Sequence, residues 1–246
     1  MIKKIFGVVS ITLIVLASCD EYIEDIINYP SEYEISNGLK EALKNGTDVA
    51  TNNLGVANGY YEDELVKIML PDELQQISEY LDIMPFGENL MENLTLQINS
   101  AAEHSAKNAG PIFYEAISDL TIERGIGILN GENDAATKFL KENTFDELHA
   151  LYKPEIESAM GMGITDGGSV NDTWNTLTTD YNSVANSLIG STMGLDPIET
   201  DLSSYLTNQA LNGLFIKIAE QESIIREDPA ARTSDLLKKV FKYSGQ

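Results

Sequence analysis

Apolar side chains in this chain return every three or four positions from about residue 37 onward, and that spacing narrows the possible folds more than anything else. In segment 88 to 108, Leu90, Met91, Leu94, Ile98, Ala101, Ala102 and Ser105 fall on one side of a helix. Alternation of β-branched residues long enough to build a sheet is missing, apart from LVKIMLP at 65 to 71, a short extended piece ended by Pro71. The pattern therefore predicts an all-α protein: one domain, folded as a multi-helix bundle.

Helix punctuation supplies the order of elements. Gly110 and Pro111 break the first stripe and start another, because glycine suits the end of a helix and proline the first turn of the next. Phe113, Ala116, Ile117, Leu120 and Ile128 carry that second stripe to Asn130 and Gly131, giving a kinked helix pair turned near Gly110 and Pro111. Asp134 opens a further short helix, and Thr144 with Glu147 forms a Thr-x-x-Glu capping box for the next, which Pro154 would bend or split. GMGITDGGS, 161 to 169, reads as a glycine-rich loop, and 172 to 188 as a polar helix followed by a loop with Gly190, Gly194 and Pro197. Asp201 caps the longest helix, which is apolar over more than one face (Leu211, Leu214, Phe215, Ile216, Ile218) and so belongs at the centre of the bundle near the C-terminus. Asp228 and Pro229 end it, and Thr233 or Ser234 caps a last helix, DLLKKVFKY.

The N-terminus carries a different signal. Lys3 and Lys4 precede a mostly apolar run, Ile5 to Leu16, the layout of a secretory signal with a hydrophobic segment of roughly 7–15 residues. The run is too short to span a bilayer, which takes about 20 residues. It closes on LASC, residues 16 to 19, which resembles the lipobox of bacterial lipoproteins, where the cysteine is acylated and becomes the first mature residue. The expected organisation is thus a lipoprotein signal peptide over 1–18, an acidic tether over 19–36 starting from lipidated Cys19, and a helical domain over 37–246. Cys19 is the only cysteine, so no internal disulfide can form and stability must come from packing.

A formal charge of −23 repels phosphate backbones and anionic headgroups, which argues against nucleic acid as a partner and against adsorption to a membrane by charge. Contact with a membrane would run through the lipid at Cys19. Nucleophilic catalysis needs a base beside Ser or Cys, yet the histidines are only His104 and His149, and no Gly-x-Ser-x-Gly elbow occurs. No His-Glu-x-x-His or paired Glu-x-x-His pattern offers a metal site, and the Gly-x-Gly stretches lack the third glycine of a dinucleotide loop, so neither metal nor cofactor is expected. Glu115, Asp119 and Glu123 stand four apart on one helix face, where like charges are mutually unfavourable unless a cation or arginine lies opposite. Arginine is scarce, and Arg226 and Arg232 flank a helix end, a placement suited to locking a turn against a carboxylate.

Four blocks, NGLKEAL (37 to 43), KIMLPDEL (67 to 74), INSAAEHSAKNAGPIFYEAISDLTIERGIGILNGENDAATKFL (98 to 140) and ALNGLFIKIAEQESIIREDPAARTSDLLKKVF (210 to 241), resemble in order the bacterial envelope family called domain of unknown function 4197. The resemblance implies an exported helical domain, usually lipid-anchored, with no established activity. It also implies recurrent polar residues at Asn99, Glu103, Glu115, Thr121, Asp134, Glu220, Glu222, Arg226, Arg232 and Thr233.

The expected function is a binding or scaffolding module on the outer membrane, on its periplasmic or surface face, meeting an unknown envelope protein or glycan. Two alternatives stand beside it. One is a carrier of an apolar small molecule or lipid in an inter-helix cavity, with Glu103, Glu115 and Arg226 at its mouth. The other is a carboxylate-dependent, glycan hydrolase-like envelope enzyme using Glu115 or Glu222 as acid and base, although no catalytic residue is assigned.

Overall fold

The computed structural model describes residues 29–71, 90–161, 175, 178–179, 182–183, 185–194, 197 and 201–242. The expected signal peptide, Cys19, the greater part of the tether and all but the first residue of the 161–169 loop lie outside the described residues. The helices are α1 Glu32–Leu54, α2 Leu90–Asn108, α3 Gly110–Ser118, α4 Ile122–Leu129, α5 Ala135–Gly161, α6 Leu188–Met193, α7 Leu202–Glu227 and α8 Asp235–Phe241. No strand occurs among the described residues.

The caps explain where these helices begin. Ser31 Oγ accepts from Glu34 N at 3.3 Å, and Ser31 N donates back to the Glu34 carboxylate at 2.9 Å, a reciprocal capping box. The first helix therefore starts at Glu32, and Ile35 and Ser36, which the sequence reading places in the tether, are buried. Thr121 caps α4, its Oγ1 accepting from Arg124 N, so the stripe from Phe113 to Ile128 is two helices rather than one. By contrast Thr144 caps nothing. Its Oγ1 donates to Leu140 O at 2.7 Å inside α5, which runs unbroken through the exposed Pro154 because Leu140, Thr144, Leu148, Tyr152 and Ile156 share one buried face. The expected loop around Gly190 is instead α6, capped by Ser187 and ended by Gly194 in the left-handed region at φ 72°. Asp201 and Ser234 cap α7 and α8 as expected.

The long helices α5 and α7 pack against each other at the centre, α2 lies along α5, and α1 lies along α7 and gathers α3, α4 and α8 around it. On α7, Leu211, Leu214, Phe215 and Ile218 are buried, whereas Ile216 faces outward. Phe215 meets Phe113 of α3 edge to face, ring centroids 6.2 Å apart, a geometry that adds to area burial. Burying each large apolar side chain contributes about 1.5–3 kcal/mol, so a core of this extent stands without a disulfide.

After α1 the chain runs as an irregular strap over residues 55–71. It crosses α7 at Gly213, where an added Cβ would lie 3.0 Å from both Tyr60 Cε1 and Val66 Cβ, so only glycine lets strap and helix meet this closely. Residues 67–71 of the expected extended piece form neither helix nor strand.

Candidate functional site

The polar residues singled out from sequence separate into groups with different roles. Asn99 and Glu103, one turn apart on α2 and both buried, hold the strap. Asn99 Oδ1 accepts from Ile68 N and its Nδ2 donates to Ile68 O, each at 2.9 Å, so one amide side chain stands in for a neighbouring strand. Glu103 Oε1 accepts from Tyr60 N at 3.2 Å. Beneath it, fully buried Tyr60 donates its hydroxyl to Ala210 O of α7 at 3.0 Å. Burial, with the neighbouring Tyr152 and Glu103, pushes the Tyr60 phenol well above its ordinary pKa. From outside, Lys217 Nζ binds Asp63 of the strap at 2.7 Å and Glu220 at 3.0 Å, and this partnership holds Asp63 below the usual carboxylate range.

Glu222, Arg226 and Arg232 form a closed knot of helix ends. Glu222, on α7, accepts from Ala136 N at 3.0 Å and from Thr137 N and Oγ1 at 2.8 Å, satisfying the first amides of α5. Arg226 Nε donates to Glu222 Oε1 at 3.0 Å, while Nη1 and Nη2 donate to Leu129 O and Ile128 O at the end of α4. Arg232 reaches back to Ile225 O and Arg226 O, closing the end of α7. Thr233, next to the α8 cap, is exposed.

These groups therefore do not converge on one cleft, and each does structural work. Both oxygens of Glu222 are engaged in the interior, and Glu115 lies in a groove that Glu222 does not line, so they cannot act as acid and base across one glycosidic bond. The void beside the knot measures about 20 Å³, room for one water and far short of a ligand of about 300 Å³ or more. Arg226 lines that void, Glu115 lines a separate groove, and Glu103 lines neither.

An open groove is a different matter. It holds about 400 Å³ between α3, α4 and α5. Its apolar lining is Ile112, Ala116, Leu120 and Phe139, and its polar lining is Glu115, Asp119, Thr121, Arg124, Asn143 and Glu147. Glu123 does not line it, so the four-residue spacing of the three acids places only two of them there. Arg124 stands opposite, its guanidinium 5.5 Å from the Phe139 ring centroid and Nη2 3.4 Å from Glu142 Oε2. Glu115, Asp119 and Glu147 make no ion pair among the described residues. Sequence reasoning missed Glu147, taken for part of a cap, and Asn143, whose Nδ2 donates to Phe139 O at 2.6 Å. A four-residue spacing of Phe139, Asn143 and Glu147 on a continuous α5 was the signal, hidden by the assumed break at Thr144.

Among the described residues no group of three or more His, Cys, Asp or Glu is arranged to hold a metal ion, and no helix is long and apolar enough to cross a membrane. Fold and site together define an all-helical bundle with an acidic surface groove and interior polar knots. The chain belongs to the family described as Protein of unknown function (DUF4197), which it matches over residues 29–242. Among curated proteins and among solved structures, none matches the chain significantly.

Proposed function

We propose that this chain is a lipid-anchored protein of the bacterial cell envelope, held at the outer membrane through Cys19, whose helical domain binds another envelope component by the groove between α3, α4 and α5. The observation that carries the binding reading is a contrast: most candidate polar residues are consumed in folding, while Glu115 and Asp119 face a groove of about 400 Å³ with no ion pair among the described residues. That volume falls within the range of binding clefts, about 300–1,000 Å³. The basic start, apolar run and LASC motif support the anchor. Two or more acyl chains hold a protein at a membrane where one does so only marginally.

Metabolic labelling with radioactive palmitate tests the anchor: the full chain takes up label and sediments with outer membrane, and Cys19→Ala does neither. Unlabelled wild-type protein in the soluble fraction refutes it. For the groove, the full chain in non-ionic detergent is immobilised beside Ala116→Trp, which fills the groove, and both are exposed to envelope extract. Equal capture by the two refutes the groove.

A further inference from the structure

Five asparagines of this chain are followed by glycine, at 37, 45, 58, 130 and 212, and the fold treats them differently. An Asn-Gly pair carries latent chemistry. The glycine nitrogen can attack the asparagine side-chain carbonyl, and glycine, lacking a Cβ, leaves that approach unhindered. The attack needs a releasable peptide N–H and a backbone able to turn. We infer that Asn130 is the site at which this protein deamidates, and that the change loosens the Glu222 and Arg226 knot.

Asn37, Asn45 and Asn212 lie inside α1 and α7, where the following glycine N–H is held in the helical ladder. Asn58 is exposed but fastened. Its Nδ2 donates to Glu62 Oε1 at 2.8 Å, its carbonyl accepts from Glu62 N at 3.0 Å, and Gly59 N donates to Val56 O at 3.0 Å. Gly59 is also hemmed in, since a Cβ there would lie 2.5 Å from Leu54 O and 2.6 Å from Asn53 O. Asn130, by contrast, is exposed at the end of α4, and its side chain makes no hydrogen bond among the described residues. One bond holds the attacking nitrogen, Gly131 N to Ile128 O at 3.1 Å, and it lies in an exposed turn, where local opening costs little.

Water is the only co-reactant. A bond forms from Gly131 N to Asn130 Cγ, the Cγ–Nδ2 bond breaks, and Nδ2 leaves as ammonia with the proton that Gly131 N gives up. Water then opens the cyclic imide at either carbonyl. One opening gives aspartate, the other isoaspartate, whose main chain runs through the side chain and is one atom longer. Turn 130–134 is pinned on both sides by the knot. Before it, Leu129 O and Ile128 O accept from Arg226, and after it Ala136 N and Thr137 N donate to Glu222. A new carboxylate at the C-terminal end of α4 opposes the helix dipole, and an added main-chain atom has to be taken up between fixed points. The turn has little slack, since a Cβ on Gly131 would lie 2.9 Å from Ala135 Cβ.

The test stores the full chain, folded in non-ionic detergent, in mildly alkaline, ammonia-free buffer made with heavy-oxygen water, beside a sample unfolded in urea. Both are then digested with trypsin and mapped by mass spectrometry. The peptide 125–138 carries Asn130, and fragmentation separates it from Asn133. In the folded sample, conversion at Asn130 is expected to exceed that at each of the other four Asn-Gly pairs by roughly tenfold or more, because a reaction that waits on local opening follows its free energy. In urea the five rates should converge. The deamidated fraction, separated by anion exchange, should exchange the Ala136 and Thr137 amide hydrogens faster than unconverted chain, whereas Asn130→Gln, whose longer side chain does not close the same imide, should keep slow exchange after equal storage. Faster conversion at another pair, none at Asn130, or the same ranking in urea overturns the site. Unchanged exchange at Ala136 and Thr137 in the deamidated fraction, or equal loss of protection in stored Asn130→Gln, overturns the effect on the knot.

Discussion

Replacing Arg226 by methionine keeps an apolar stem of similar length and removes the charge at the centre of the knot. The side chain is 7 % exposed and its partner Glu222 is 8 % exposed, so water cannot readily replace what is lost. Three acceptors lose donors: Glu222 Oε1, Leu129 O and Ile128 O. Glu222 Oε1 keeps Ala136 N and Ile128 O keeps Gly131 N, so Leu129 O is the acceptor left orphaned, at about 1–3 kcal/mol, while breaking a buried ion pair by removing one partner costs about 3–5 kcal/mol. These figures overlap in what they count, so a loss of about 3–5 kcal/mol is expected. In urea unfolding followed by circular dichroism, that moves the midpoint down by about 1 M or more for a slope of about 1–3 kcal/mol/M. Glu222→Gln loses acceptor capacity for the first amides of α5 and should cost about 3 kcal/mol on the same grounds. The double variant should be less destabilised than the two single losses added, with a coupling of about 1 kcal/mol or more, because the charge left alone in each single variant is gone. Single losses below about 1 kcal/mol, or strict additivity, would refute the view that these residues form one folding device.

Asn99→Asp keeps the acceptor for Ile68 N but loses the bonds to Ile68 O and Thr95 O and brings a charge against two carbonyls; a loss of about 2–3 kcal/mol, read as a fall in Tm of roughly 4–12 °C, should accompany faster hydrogen exchange at Ile68. Tyr152 Oη lies next to Tyr60, yet with Thr207 Oγ1 it is one of two buried side-chain polar atoms without a hydrogen bond among the described residues. Tyr152→Phe should therefore be neutral or slightly stabilising, whereas Tyr60→Phe, which orphans Ala210 O, should cost about 1 kcal/mol; the reverse order in thermal melts would contradict this assignment. Lys239, with Ser31 of the capping box, holds the Glu34 carboxyl at about 2. Being below the unfolded value of about 4.3, it adds stability that is fully present above that pH and lost as pH falls through about 2. Glu34→Gln should flatten that acid limb, and an NMR titration midpoint near 4 for Glu34 would exclude the pairing.

Much of the fold was legible because helix stripes and caps are local. Asp201, Ser234 and Pro111 act where their chemistry places them, and Leu94, Ile98 and Ala102 face the core. Errors came where tertiary burial overrode a local signature. Thr144 looks like a cap but is paired inside α5 because its face is buried, and Ser31 with Glu34 was passed over as part of an acidic leash. The site was harder to read, since sequence can list Asn99, Glu103, Glu222 and Arg226 as polar positions without saying which carbonyl each will meet. Those partners lie up to 98 residues away, so only the folded chain separates a knot from a cleft.

The ion pair between Lys239 Nζ and Glu34 Oε1 at 2.6 Å joins positions 205 apart, with α8 packed directly on α1. A ribosome delivers α1 long before α7 and α8, so although α2, α3 and α4 follow soon after, the part of α1 that meets α7 and α8 waits until nearly the whole chain has emerged. Closing so large a loop is entropically slow, and in the meantime that one seam of α1 stays open. The first and last helices thus complete each other, and a truncation that removes α8 should yield a chain that fails to complete its first helix's packing rather than a slightly smaller version of the same bundle.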